Sequence, residues 1–424
     1  MRTRMLAVAV LLGATVGTAG AQAQAPDTLE PLDAVDVETT ALLIPVGEAS
    51  TADISLVNIG LRRGIRSVEG VSFVHPVDRL EQGHSDEVYM WVDQLDAIAD
   101  MVRTGDARDA YQRADEAIDV FENNLRFVRR SALVDAYMLA AVGRCAAGRA
   151  RECRTGFRRI IAFRENHEFD VERYGPEHEP VFEREKLAAL SGARGTLFVE
   201  TEPEGAEVYI DGRSYGPSPV TAVGLLAGSH YITVKELGYD KLAVRADVRG
   251  ARETAERYVL EEALEARRVL NLQGPIMDEL GQARSGERIR QLGDSLGTGQ
   301  TIVGTVTPNE EGQLHVQLYL YHVHTRLLQN QVEATVSPDE VGMDTVREIA
   351  IALYEGVDLG GGIDAPEDDT NIPGRQPELY EQWWFWVTVI GGAAVVAGAI
   401  GAGVALSDGE QVPGGFLRIQ GTLP

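Results

Sequence analysis

Lysine is nearly missing from this chain: Lys186, Lys235 and Lys241 are the only three in 424 residues. A polybasic patch for anionic lipid therefore has no material. Cationic side chains are outnumbered throughout, 39 Lys and Arg against 65 Asp and Glu, for a formal charge of −26. That balance excludes nucleic acid as a partner, because phosphate binding runs on clustered Lys and Arg. Cysteine is scarcer still, Cys145 and Cys153 alone, which excludes a disulfide-dense scaffold and a Cys-rich zinc site. The signatures G-x-S-x-G, H-E-x-x-H and G-x-x-x-x-G-K-[ST] are also absent from the sequence, so no known catalytic motif offers itself. Apolar residues are plentiful at 44%, enough for packed cores. By length the chain calls for roughly two to four units.

Both ends carry membrane signals. Arg2 and Arg4 precede a short apolar run, Met5 to Val16. Ala19-Gly20-Ala21 and Ala21-Gln22-Ala23 then offer the small residues of a cleavage site, so residues 1–23 read as a secretory signal peptide. An uncleaved anchor helix is the alternative. Trp384 to Leu406 contains no charge. As a helix it would cover roughly 34 Å, enough for a hydrocarbon core. Trp383, Trp384, Phe385 and Trp386 stand at its entry, where amphipathic rings favour the headgroup layer. Segment 383–406 is expected to span a membrane, against the alternative of a buried helix in a soluble core. Residues 24–382 would then be exported, and 407–424 would form a short tail on the other side. Ala394, Gly398 and Ala402 lie at spacing four and offer a small-residue ridge for a homodimer. The expected address is the inner membrane, single-pass, with the bulk in the periplasm; the outer membrane is the alternative.

Between the ends the expected fold is multidomain α+β. Residues 24–40 form an acidic linker. Residues 41–82 form a small α/β unit, with strands at 41–46 and 71–75 around a helix at 56–66. That stretch resembles the strand–helix–strand opening of TolB-N-like and CsgG-like envelope domains. Residues 86–190 are helical. Ala107, Ala110, Tyr111, Ala114, Ile118 and Phe121 recur at three and four, which marks one amphipathic face. Gly148 followed by Cys153-x-x-x-Phe157 resembles the turn and second helix of a tetratricopeptide repeat. A generic helical bundle fits the same pattern. Cys145 and Cys153, eight apart across that turn, are a candidate disulfide worth roughly 2–3 kcal/mol in an oxidising compartment. Two buried thiols fit equally well.

Residues 195–262 are the most specific segment. Leu197 and Val199 alternate with polar neighbours, as do Ala206, Val208 and Ile210, the period of half-buried strands. Asp211-Gly212 supplies the two positive φ positions of a tight hairpin. Gly216-Pro217-Ser218-Pro219 breaks the next strand into a corner, Gly228 opens another, and Gly238-Tyr239 turns the chain again. With Pro203-Glu204-Gly205-Ala206 at its head, the stretch resembles the PEGA domain along its whole length. The resemblance implies a small β-sandwich and an envelope-associated accessory module. Pro203, Glu204, Gly205, Ala206, Asp211, Gly212, Gly216, Pro219, Gly228, Gly238 and Tyr239 are then fold determinants rather than a binding site.

Residues 263–356 form a second α/β unit: helix, three antiparallel strands (301–306, 314–320, 331–336) and a closing helix. It again resembles a TolB-N or CsgG envelope domain, and it could pair with residues 41–80, with the helical and PEGA parts inserted between. Residues 357–382 form a flexible acidic linker. His322 and His324 share a strand face and could hold a metal. No third ligand stands at ligand spacing, and His315 has the opposite parity, so an exposed strand end is the stronger reading. No cofactor is expected and no catalytic residue is assigned. The leading expectation is a non-catalytic, membrane-anchored envelope protein that binds envelope proteins or cell-wall glycan. An envelope sensor acting through a transmembrane partner is the alternative. An enzyme gathering His315, His322 or His324 with carboxylates in 263–356 ranks last.

Overall fold

The computed structural model describes residues 36–80, 85–357, 359 and the backbone of 418–419. The fold opens with strand β1, Val37–Pro45, in which Thr39 to Ile44 are all buried. Helix α1, Thr51–Ile65, starts at a capping box: Ser50 Oγ accepts from Asp53 N, and Ser50 N donates to the Asp53 carboxylate. That cap sets the helix start five residues before the apolar periodicity suggests. Strand β2, Val71–Phe73, returns parallel to β1, and α2, Pro76–Leu80, follows.

A helical stretch comes next: α3 (Asp86–Thr104), α4 (Ala107–Asn123), α5 (Arg130–Ala146), α6 (Ala150–Phe163), the single turn α7 (Val171–Tyr174) and α8 (Glu179–Leu190). Their shared core includes Ile98, Phe121, Met138, Leu139, Phe157 and Phe182, all fully buried. Cys145 and Cys153 form a disulfide across the α5–α6 turn, Cα to Cα 5.0 Å.

The β-rich region has strands β3 (Arg194–Glu202), β4 (Glu207–Ile210), β5 (Arg213–Pro217), β6 (Val220–Leu226), β7 (Gly228–Lys235), β8 (Leu242–Val248) and β9 (Glu253–Val259). They form two sheets, ordered β6-β3-β9 and β5-β4-β7-β8. Leu197, Val199 and Ala222 of one meet Val208, Ile210, Ile232 and Val234 of the other in a common core.

Helices α9 (Leu264–Leu270), α10 (Gln273–Met277) and α11 (Glu287–Leu296) lead to β10 (Gln300–Pro308), β11 (Leu314–His322) and β12 (Leu328–Val336), then α12 (Glu340–Ala352). Strand β10 pairs parallel with β1, Leu42 opposite Val303. A two-residue strand β13, Arg418–Ile419, pairs parallel with Glu333 and Ala334 at the far edge. The sheet order is β13-β12-β11-β10-β1-β2.

The units expected at 41–82 and 263–356, whose pairing the sequence left open, therefore form one sheet. β1 is central, so both its edges are paired, and its apolar run is that of a parallel strand covered on both faces. Residues 37–40, expected in the acidic linker, belong to β1; Thr39 and Thr40 are fully buried. On one face Leu43, Val57, Leu61, Ile302 and Ile349 pack together; on the other, Leu42, Ile44, Val303, Leu292 and Tyr321. Gly60 and Gly64 of α1 bring α12 close. A Cβ at Gly60 would lie 2.6 Å from Val346 Cβ, and one at Gly64 would lie 2.5 Å from Arg347 O.

The expected signal peptide, 1–23, and the expected span, 383–406 with Ala394, Gly398 and Ala402, lie outside the described residues. Among the described residues no helix is long and apolar enough to cross a membrane.

Candidate functional site

The first turn of α1 receives the turn between β3 and β4. Gly205 has φ +92°, and a Cβ there would stand 2.6 Å from Ala52 N and 3.0 Å from Thr51 Cβ. Only glycine lets the turn seat this closely. Ser218 Oγ accepts from Gly205 N at 3.0 Å and secures the turn from behind. The chain then enters β4 with Glu207 facing α1. Its carboxylate takes a two-pronged ion pair from Arg62, one arm at 2.9 Å, and also accepts from Tyr209 Oη at 2.7 Å and Ser214 Oγ at 2.9 Å. The Arg62 guanidinium also contacts Tyr209 Oη and lies 4.9 Å from the Tyr209 ring centroid.

Both charges of this pair are held. Burial works against the Glu207 carboxylate, but the hydrogen bond and charge of Arg62 outweigh it and lower its pKa. Arg62 is raised against the same burial by Glu207. His75 lies at 3.8 Å from Glu207 through Nε2, while its Nδ1 accepts from Val77 N at 3.2 Å. That acceptor role places the proton on Nε2. Burial, helped by Lys235, pushes His75 down to about 4, so the ring is neutral. The buried Lys235 ammonium is lowered by desolvation and reaches Asp78 at 2.5 Å.

Beside this network is a cavity of about 190 Å³ at the carboxyl ends of β1 and β2, lined among others by Leu42, Ile54, Asn58, His75, Lys235, Glu236 and Leu270. The crevice beyond the carboxyl ends of parallel strands is where open α/β sheets hold ligands. Here the β-rich region closes over that crevice. Burial pushes the Glu236 carboxyl up to about 8, with the Glu207 charge adding to the effect.

A second junction joins the β-rich region to the helices. Glu122 of α4 accepts from Tyr137, from Arg159 at 2.6 Å, from Tyr231 at 3.2 Å and from Arg245 at 2.7 Å. Burial opposes its charge, but the hydrogen bond from Tyr137 and the two arginines hold its pKa low. Phe163 meets Tyr231 edge-on at 4.9 Å between ring centroids. Next to it, His230 bonds the Asp211 carboxylate through Nδ1 and Leu226 O through Nε2, each at 2.7 Å. Both ring nitrogens face oxygen acceptors, an arrangement that favours the imidazolium. Burial lowers its pKa, and Asp211 more than reverses that, leaving it raised.

The residues singled out by sequence are dispersed. Asp211 (φ +52°) and Gly212 (φ +75°) make the β4–β5 turn. Gly216 has φ +112°, Glu204 and Pro219 are exposed, and Ala206 is fully buried. Gly228 backs onto Ala162, Gly238 onto Leu270, and Tyr239 bridges to Glu262. Pro203 O accepts from Thr201 Oγ1. Together they shape turns and contacts. His322 and His324 are ring neighbours at 6.0 Å, whereas His315 pairs with Glu333 at 3.3 Å. At ~3.3 Å rise per residue, His315 stands about 23 Å along β11 from His322. Among the described residues no group of three or more potential ligands could hold a metal. Arg62, Glu207, Glu122 and His230 were not flagged by sequence.

Residues 194–264 match the family model of the PEGA domain. No curated protein matches the chain.

Proposed function

We propose that this chain is a non-catalytic, membrane-anchored envelope protein. Its helical region and PEGA module present surfaces to envelope proteins or cell-wall glycan in the periplasm. The observation that carries this reading is the charge-free run from Trp384 to Leu406, with its aromatic entry, joined by an acidic stretch to a folded body. The Cys145–Cys153 disulfide supports it, because such bonds persist in oxidising compartments. So does the PEGA motif, whose Gly205 is seated against Thr51 and Ala52 of α1, which leaves recognition to the surrounding surface. In this reading α3 to α6 are two tetratricopeptide-like hairpins, 383–406 crosses the inner membrane once, and Ala394, Gly398 and Ala402 pair two copies. Carbonate-washed membranes test it. The full-length protein should stay in the pellet, with the body digested by protease added to spheroplasts. Recovery in the soluble fraction overturns it.

One observation favours a second reading. Strand β13 pairs with β12, and a tail beyond a bilayer has no way to reach that edge. In this version 384–406 does not cross, and the C-terminal segment caps the sheet. A Ser407→Cys variant labelled with an impermeant reagent separates the two. Labelling in intact spheroplasts supports the second; labelling only after the membrane is breached supports the first.

A further inference from the structure

The crevice at the carboxyl ends of β1 and β2 holds one buried acceptor without a partner and one carboxyl that takes a backbone bond. Asn58 Oδ1 is buried on α1 with no hydrogen-bond partner. Glu236, just past β7, takes a backbone bond from Leu237, and among the described residues no side chain is shown bonding to its carboxyl. Both line the same cavity of about 190 Å³. The other charges around it are already engaged: Glu207 with Arg62, and Lys235 and Lys241 with Asp78. His75 is neutral. Leaving a buried acceptor unpaired costs about 1–3 kcal/mol, so what fits here is a donor.

We propose that this cavity binds a small alkylammonium ligand, its ammonium bridging Asn58 Oδ1 and the Glu236 carboxylate and its short apolar body lying against Leu42, Ile54 and Leu270. An ammonium offers three donors and no acceptor, which matches two acceptors that line one cavity. A carboxylate ligand would meet Glu207 and Glu236, with Arg62, Lys235 and Lys241 already paired. An alcohol would satisfy Asn58 and leave Glu236 unpaired. The volume is about six times a water's ~30 Å³ share, which suits a chain of a few carbons. The inference is independent of membrane anchoring.

The ligand pairs with ionised Glu236, so binding must displace a proton. Glu236 sits near 8 because of burial, with Glu207 adding. The groups facing it from the neighbouring elements are Arg62, His75, Asp78, Glu207, Lys235 and Lys241. Of these, His75 has already lost its proton well below pH 7. A primary ammonium stays protonated to about pH 10. Affinity should therefore rise about tenfold between pH 7 and pH 9.

Isothermal titration of the purified full-length protein with n-butylammonium chloride tests this, with 1-butanol, sodium butyrate and sodium chloride as controls. The expected result is millimolar or tighter binding of the cation alone, with proton release at pH 7 and the tenfold gain at pH 9. Glu236→Gln should weaken binding at pH 9 at least tenfold and flatten the pH dependence. Asn58→Ala, a smaller change, should weaken it severalfold with the dependence kept. The proposal is overturned by the absence of butylammonium binding at 10 mM, on the order of the weakest affinity worth calling a site. Equal binding of butanol or butyrate, or unchanged binding in either folded variant, overturns it too.

Discussion

Glu207 stands where strand alternation points it away from the sandwich core, since Ala206, Val208 and Ile210 occupy the inward positions. Helix α1 covers that outward face, so the carboxylate is only 1% exposed. Removing one partner strands the other's charge in a dry interface. Arg62→Ala should cost about 3–5 kcal/mol in urea unfolding. The double change Arg62→Met with Glu207→Leu should recover much of that loss, because it removes both charges together. A single-mutant cost below about 1 kcal/mol would show the pair to be solvated. His230 gives a pH-dependent counterpart. Its folded pKa lies above the unfolded value of about 6.5, so the folded state binds the proton more tightly. The stabilisation is complete below pH 6.5 and is lost as pH rises through the raised folded value. Urea midpoints for wild type and His230→Asn should therefore differ most near pH 5.5 and converge at higher pH. Parallel curves would remove the imidazolium. Neither group was visible in the sequence, and the reason is the same for both. Periodicity assigns a residue to a face of its own element, but says nothing of a second unit that covers that face.

The elements themselves were more legible. The helices of 86–190, the hairpin at Asp211-Gly212 and the β10–β12 meander follow from short-range patterns, which local sequence encodes. What the pattern left open was the pairing of β1 with β10, because nothing local links residues 37–45 to 300–308. Gly60 and Gly64 were a missed clue: two small residues one turn apart on an apolar helix mark a close helical neighbour. Gly64→Val should overpack the α1–α12 contact and destabilise by about 1–3 kcal/mol, since Arg347 O is backbone and has little room to move. Thermal melts of Gly64→Val against an exposed Gly274→Ala control, where nothing lies within 4 Å, measure that difference. The α5–α6 staple is testable separately. Closing so short a loop is worth ~2.5 kcal/mol by chain entropy, so Cys145→Ser with Cys153→Ser should lower the unfolding free energy by that much. A reductant should then have no further effect on the variant.

At the scale of the whole molecule, the β-rich region lies between two polar junctions, one buried and one half-buried. Arg62 and Glu207 join it to the sheet, with side chains 7% and 2% exposed, and Glu122 joins it to the helices through two donors, Tyr231 and Arg245. Separating either junction would leave charges or hydroxyls without their partners, so partial opening is penalised beyond the lost apolar contact. The sheet adds a topological constraint. Its first strands precede the helical and β-rich regions and its last strands follow them, so it is complete only when the whole insertion is in place. Chains of this length commonly unfold in stages, but here each stage would break a polar junction or an interior strand pair. The described body should therefore unfold in one calorimetric transition, with the van't Hoff enthalpy close to the calorimetric value. Combining Arg62→Ala with Glu122→Ala removes the anchor from both junctions and should split that peak, the β-rich region melting apart from the helical core. Two peaks in the wild type would mean that the junctions are hydrated and the three regions move as separate beads.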